Sequence, residues 1–140
     1  MPVPATIRPE IEQAFGLVPA WINQMPDGAA EGFWTVAKNF WLAETKIPAK
    51  YKEFIGLGVS AATRCRYCTF FHTEAAKLHG ATPEEIAEAN AMAGITMMGS
   101  TFLNGQQIDE QQFRKETEQI VAHVRKSMGK APGGTTPRGR

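Results

Sequence analysis

Three residues in the stretch RCRYCTFFHTEAA, running from Arg64 to Ala76, can do chemistry together. Cys65 and Cys68 stand three apart, His72 follows four later, and these are the only two cysteines in the chain. On one helix, at about 100° per residue, the three side chains fall within roughly 60° of one another. Cysteines near a helix N-terminus feel unpaired backbone N–H groups and the positive dipole end, and both favour thiolate. Arg64 and Arg66 add positive potential. His72, one turn beyond Cys68, can take or return a proton. A C-x-x-C spacing also lets two sulfurs close a disulfide.

Other uses of the pair weigh less. A structural zinc wants four ligands and the motif supplies three; His79 and His123 are the remaining histidines, and there is no second cysteine pair. A catalytic zinc on two Cys and one His stays open as an alternative. Haem attachment needs histidine directly after the second cysteine, where Thr69 stands. A thioredoxin-like fold needs strands around the motif. Two inert, buried cysteines form the bland alternative.

The elements that would position the motif are helical. Segment 7–15 contains Pro9, where a helix would begin. LVPAWINQMPDG, 17–28, reads as a connection holding a short helical turn. In 29–43, Phe33, Val36, Ala37, Phe40 and Trp41 recur at three and four, predicting one continuous helix. Pro48 ends that stretch and opens a helix over 48–61. Its inward row would be Tyr51, Ile55 and Val59, or else Phe54, Leu57 and Ala61. Thr63 is the expected cap of the cysteine helix, which runs to about His79 and stops at Gly80. Thr82-Pro83-Glu84-Glu85 has capping-box spacing with proline at the first helical position. That helix is expected to reach Ala93 and break at Gly94 before an apolar segment, 95–105. A last helix over 109–128 would turn Phe113, Ile120, Val121 and Val124 inward. No alternating strand, repeat or internal linker is visible. The expectation is an all-α fold of about six helices, with a single domain over 1–128 and a Gly- and Pro-rich tail over 129–140.

With 43% hydrophobic residues the chain can build a core. Its net charge of +1, from 15 basic and 14 acidic side chains, gives no support to nucleic-acid or anionic-membrane binding. The opening MPVPATIRPEIE has no charged segment followed by an apolar run, so no secretory signal is expected. No apolar run approaches the ~20 residues that span a bilayer. The expected location is the cytoplasm, where a cysteine pair is more often redox-active or metal-binding than a structural staple.

The combination of Cys65-x-x-Cys68-x-x-x-His72, Ala75 and Ala76 behind it, Glu53 twelve residues ahead in YKEFIGLGVSAATRC, and TPEEI at 82–86 resembles one family. It is similar to the AhpD-like, carboxymuconolactone decarboxylase superfamily, and FGLVPAWINQMPD, 15–27, resembles the leader of its peroxidase-related branch. The resemblance implies an all-helical, AhpD-like domain that assembles as a homo-oligomer: dimer, trimer or hexamer. It implies a thiol-dependent hydroperoxide reductase or disulfide oxidoreductase. By position, Cys68 matches the cysteine that becomes a sulfenic acid. Cys65 matches the thiol that protonates the leaving alkoxide and then resolves Cys68 into a disulfide. His72 matches the relay base, and Glu53 the carboxylate at the relay's far end. No bound cofactor or metal is implied; an external dithiol, such as a lipoyl group, restores the pair, and the partners are a hydroperoxide or disulfide substrate and a peroxiredoxin or lipoyl-domain protein. The decarboxylase branch lacks the cysteine pair. The runner-up reading is a non-enzymatic helical protein whose cysteines form a redox sensor or metal clip regulating a partner.

Trp34, Trp41, Phe33 and Phe40 are expected in the core or an oligomer contact, with a substrate pocket as the sharper alternative. Met92, Met97 and Met98 are expected as core filler or subunit contact. His79 is expected as a helix-end dipole partner and His123 at the surface.

Overall fold

The computed structural model describes residues 3–130. Among them six α-helices carry the fold: α1 (Arg8–Phe15), α2 (Asp27–Val36), α3 (Ala49–Ala62), α4 (Arg66–Leu78), α5 (Pro83–Gly105) and α6 (Glu110–Lys130), with no strand. A single 3₁₀ turn, Ile22–Gln24, lies in the expected connection. The chain divides into two compact units, one ending at Ile95 and the other beginning at Thr96. Of the tail expected over 129–140, Gly129 and Lys130 close α6 and the remainder lies outside the described residues.

The first unit has its apolar core between α1 and α2. Val3, Ile7, Ile11, Ile22, Ala30, Trp34 and Ala37 are buried there, with Phe15, Val18, Met25, Phe33 and Trp41 packed against them. The Trp34 indole N–H donates to Glu10 at 2.7 Å, so this core tryptophan satisfies its one polar atom at the rim.

The helix expected over 29–43 is not continuous. α2 starts two residues earlier and gives way at Ala37 to a π-helical turn, Ala37–Trp41, closed by the Leu42 N–H on the Ala37 carbonyl at 2.8 Å. The wider turn leaves carbonyls without helical donors, and the Lys52 amine from α3 takes those of Phe40 (2.7 Å) and Ala43 (2.9 Å). One residue too many in a turn rotates the side chains at its far end, and here it re-aims Trp41. Such turns are common where a side chain has a task.

α3 overturns the first expected row and keeps part of the second, with Leu57 buried and Phe54 half-buried. Its buried residues are Glu53, Leu57 and Ser60, while Tyr51, Ile55 and Val59 are exposed, as is Ala61. The helix is apolar on several sides, so periodicity could not choose a face; packing against α4 does. α3 ends in a reverse turn in which the Cys65 N–H reaches the Ser60 carbonyl (2.9 Å) and Arg64 takes a left-handed φ of 58°.

Thr63 does not cap α4. Its hydroxyl turns back to the Val59 carbonyl at 2.8 Å, and the capping residue is Cys65. The stop at Gly80 holds, with φ at 82°. The capping box at α5 also forms: the Glu85 N–H donates to Thr82 Oγ1 (3.1 Å) and the Thr82 N–H to the Glu85 carboxylate (3.0 Å). The expected break at Gly94 is absent and α5 runs through to Gly105. Glycine costs a helix about 1 kcal/mol but keeps its N–H, so a long helix absorbs it. α6 starts on the Asp109 carboxylate, which accepts the Gln112 N–H at 2.7 Å. Its expected inward residues are exposed: Phe113, Ile120, Val121 and Val124 all face outward in this single chain, as do Ile95, Met98 and Phe102 of α5.

Candidate active site

The site forms between α3 and α4, with Trp41 of the π-turn closing one side. Cys65 sits at the N-cap of α4, in extended backbone, and its Sγ accepts the Cys68 N–H at 3.3 Å. The two sulfurs are 2.6 Å apart and unbonded. A disulfide bond is ~2.05 Å, so closure needs only a small side-chain adjustment.

The pair is electrostatically unequal. The Cys68 side chain, the Cys68 N–H and the Tyr67 N–H hold the Cys65 thiol below its ordinary pKa. The Cys65 side chain, together with burial and the Cys65 charge, pushes Cys68 up. Of the two thiols, Cys65 therefore gives up its proton the more readily. No acidic residue occupies the first turn of α4 to oppose this.

One turn beyond Cys68 along α4, His72 meets a buried acid of α3. Glu53 is only 3% exposed, although carboxylates are rarely buried unless paired. Both its oxygens are engaged: Oε2 lies 2.6 Å from His72 Nδ1, and Oε1 accepts the Trp41 indole N–H at 2.8 Å. With Nδ1 donating to the carboxylate, Nε2 is the basic nitrogen of His72. The imidazole is walled by aromatic rings, Trp41 at 6.2 Å and Phe71 at 5.7 Å between centroids, with Trp41 and Phe71 themselves 5.1 Å apart. Its remaining wall is backbone. A Cβ added at Gly56 would lie 2.5–2.7 Å from three imidazole ring atoms, so only glycine lets α3 approach His72 this closely.

Of the four residues expected at the site, Glu53 lies on α3, Cys68 and His72 on α4 and Cys65 at its N-cap, and two contacts are made among them, Cys65–Cys68 and Glu53–His72. Two contacts escaped the sequence reading. Trp41 was read as core or oligomer contact with a substrate pocket as alternative, but its bond to Glu53 gave no signal, because the turn that aims it interrupts a pattern that reads as a regular helix. Gly56 did leave one: it stands three residues after Glu53, on the same helical face, where a helix-weakening residue marks a close approach. Of the other candidates, Trp34 is core, Phe40 is exposed under the Lys52 amine (5.1 Å to its ring), His79 follows the last residue of α4, and His123 is exposed on α6. Among the described residues no three His, Cys, Asp or Glu side chains gather in a way that fits a metal ion. No helix among them is long and apolar enough to cross a membrane.

Comparison with known proteins agrees with this architecture. No curated protein matches the chain. The crystal structure of an alkylhydroperoxidase AhpD core from Rhodospirillum rubrum superposes with a TM-score of 0.67 at 26% identity, over 74% of this chain and 79% of that one. A crystal structure of a protein from Methanobacterium thermoautotrophicum superposes at 0.56 with 32% identity, over 63% of this chain and 97% of its own. A profile of the carboxymuconolactone decarboxylase family matches residues 28–104, which include every residue of the site. The chain, with its helical fold and its resemblance to AhpD, belongs to the carboxymuconolactone decarboxylase family.

Proposed function

We propose that this protein is a thiol-dependent hydroperoxide reductase and disulfide oxidoreductase that works through Cys65 and Cys68. The observation that carries the reading is the pair of sulfurs 2.6 Å apart at a helix N-cap, backed by a buried Glu53–His72 contact. The likeness to an alkylhydroperoxidase core supports it.

Cys68, on the more exposed of the two residues, is the nucleophile. His72 Nε2 takes its proton while Glu53 steadies the developing imidazolium. The Cys68 thiolate attacks the outer oxygen of a hydroperoxide; the O–O bond breaks, Cys68 becomes a sulfenic acid, and the Cys65 thiol protonates the leaving alkoxide, giving an alcohol and the Cys65 thiolate. The Cys65 thiolate then attacks the sulfenic sulfur, expelling hydroxide and closing the disulfide. This division of labour uses the inequality of the pair. Cys65, held below the ordinary thiol pKa, releases its proton the more readily for the second step, and it is the better leaving group when an external dithiol attacks Cys68 to restore the pair. The restoring reductant is a dithiol of lipoyl type. Outward-facing Ile95, Met98 and Phe102 of α5, with Ile120 and Val124 of α6, support assembly into a homo-oligomer.

Mass spectrometry tests the first half. One equivalent of cumene hydroperoxide should convert the wild-type protein into a Cys65–Cys68 disulfide that dihydrolipoamide reduces. Cys65→Ser should instead accumulate a sulfenic acid on Cys68, trapped by dimedone. Absence of both products would refute the assignment.

A further inference from the structure

Lys52 directs its charge at backbone. Its amine donates to the carbonyls of Phe40 (2.7 Å) and Ala43 (2.9 Å) and lies 5.1 Å over the Phe40 ring. Among the described residues no carboxylate pairs with it. A lysine in the last turn of a helix often takes the free carbonyls of that helix. Here the amine comes from the next helix, α3, and stands 12 and 9 residues beyond the two carbonyls it holds.

The two acceptors bracket Trp41 in the chain. Lys52 therefore fixes the backbone on both sides of the residue whose indole N–H reaches Glu53 Oε1 at 2.8 Å. Lys52 and Glu53 are consecutive on α3, so one dipeptide grips the π-turn twice, through its backbone and through its tryptophan. Successive helical side chains point about 100° apart, so the turn must wrap across α3 to meet both. π-helical turns are rare and depend on their surroundings, and this one is closed on its own side by the Leu42 N–H on the Ala37 carbonyl.

From Trp41 the contacts run on without a gap. Glu53 gives one oxygen to the indole and the other, at 2.6 Å, to His72 Nδ1. A carboxylate pinned at one oxygen cannot turn about its last bond without losing that contact, so Trp41 sets the plane that Glu53 offers to His72. Trp41 also stands against the imidazole itself, with ring centroids 6.2 Å apart.

We infer that Lys52 is a positioning residue for His72, acting through the π-turn, Trp41 and Glu53. It touches none of the reacting atoms. The placement of the imidazole follows from these contacts alone; its importance for hydroperoxide turnover rests on the redox reading.

Two assays on the full chain separate these claims. The first needs no turnover. Lys52→Met keeps the apolar stem and removes the amine. Selective ¹⁵N labelling of the three tryptophans gives one indole N–H signal each, and that of Trp41 is the one absent from Trp41→Phe. In Lys52→Met the Trp41 signal should shift toward that of free indole and exchange with water about tenfold faster, as expected when about one net hydrogen bond is lost. The Trp34 signal, whose N–H is held by Glu10, should stay in place. An unmoved Trp41 signal overturns the inference. Equal movement of both signals also overturns it, because the amine would then be a general support of the fold.

The second assay is turnover of cumene hydroperoxide. The kcat of Lys52→Met should fall about tenfold with KM little changed, within the ~10²-fold that a misplacement of about 1 Å costs. Added to Trp41→Phe, the same substitution should lower kcat by less than about twofold, because both changes act through one indole. A full tenfold further loss in that background would mean that the lysine charge acts through space, and overturns the inference. A wild-type protein without turnover, in which the Trp41 signal still responds to Lys52→Met as stated, supports the positioning and removes the peroxidase reading.

Discussion

Gly56 and Gly58 lie two residues apart on α3, and their surroundings give them opposite fates. At Gly56 an alanine Cβ would sit 2.5–2.7 Å from three atoms of the His72 ring. Ordinary contacts begin about 1 Å further out, so either the ring or the helix must move. Overpacking of this kind costs about 1–3 kcal/mol. Displacing the ring also strips the 2.6 Å contact with the buried Glu53 carboxylate, and charge-assisted hydrogen bonds of this type contribute roughly 1.5–3 kcal/mol. Against this, replacing a helical glycine gains about 0.5–1 kcal/mol. Gly56→Ala should therefore lose about 2–5 kcal/mol, or roughly 6–15 °C in Tm for a chain of this size. At Gly58 the added Cβ meets only the Ala93 methyl at 3.6 Å, an ordinary contact, so the helix gain stands alone and Tm should rise by about 2–3 °C. Thermal unfolding by circular dichroism, with the pH profile of thiol alkylation, reads both. In Gly56→Ala the profile should move to higher pH as His72 loses its place. Equal melting temperatures for the two variants, or an unmoved profile in Gly56→Ala, would refute the idea that backbone closeness seats the imidazole.

Further expectations come from the same geometry. Trp41→Phe keeps a ring beside His72 but leaves Glu53 Oε1 without its donor, so stability should fall by about 1–3 kcal/mol in denaturant unfolding. Its effect on the alkylation profile should not add to that of Glu53→Gln, because both act through one carboxylate. Cys68→Ala removes the side chain that does most to hold Cys65 down, so the alkylation midpoint of Cys65 should move to higher pH; Cys65→Ala removes the group that holds Cys68 up, so the Cys68 midpoint should move lower. Shifts in one common direction would contradict the opposite perturbation of the two thiols. His72→Ala should slow hydroperoxide turnover by about 10²–10⁴-fold, the range for a lost general base. Glutamates at Phe102 and Val124 should lower the mass seen by light scattering if these exposed faces meet a second copy.

Features set by neighbours within one or two turns were legible in the sequence. The Thr82–Glu85 capping box and the stop at Gly80 are of this kind. The closeness of Glu53 rested on resemblance, because a reverse turn at Arg64 lies between it and the motif, and no periodicity passes through such a turn. Of the inward rows read for α3, Tyr51, Ile55 and Val59 are exposed and Leu57 of the alternative row is buried, but its buried neighbours are the polar Glu53 and Ser60, which apolar periodicity passes over. Burial of Glu53 is a property of the partners it finds, Trp41 and His72, and composition is silent on partners. Thr63 failed as a cap for a related reason. Its hydroxyl had a nearer acceptor behind it, and a cysteine sulfur took the role that oxygen usually fills. The apolar row of α6 has helical period yet is exposed in a single chain, and period alone does not say what covers a face.

The central claim is that the Cys65–Cys68 pair turns over hydroperoxide. It is tested most directly by measuring hydroperoxide consumption by the purified protein with dihydrolipoamide as reductant, beside Cys68→Ser. The predicted result is steady consumption that stops in the variant while its fold and mass are unchanged. Consumption no faster than in Cys68→Ser, with the wild-type pair still cycling between dithiol and disulfide, would contradict the claim and leave a disulfide reductase or a redox sensor.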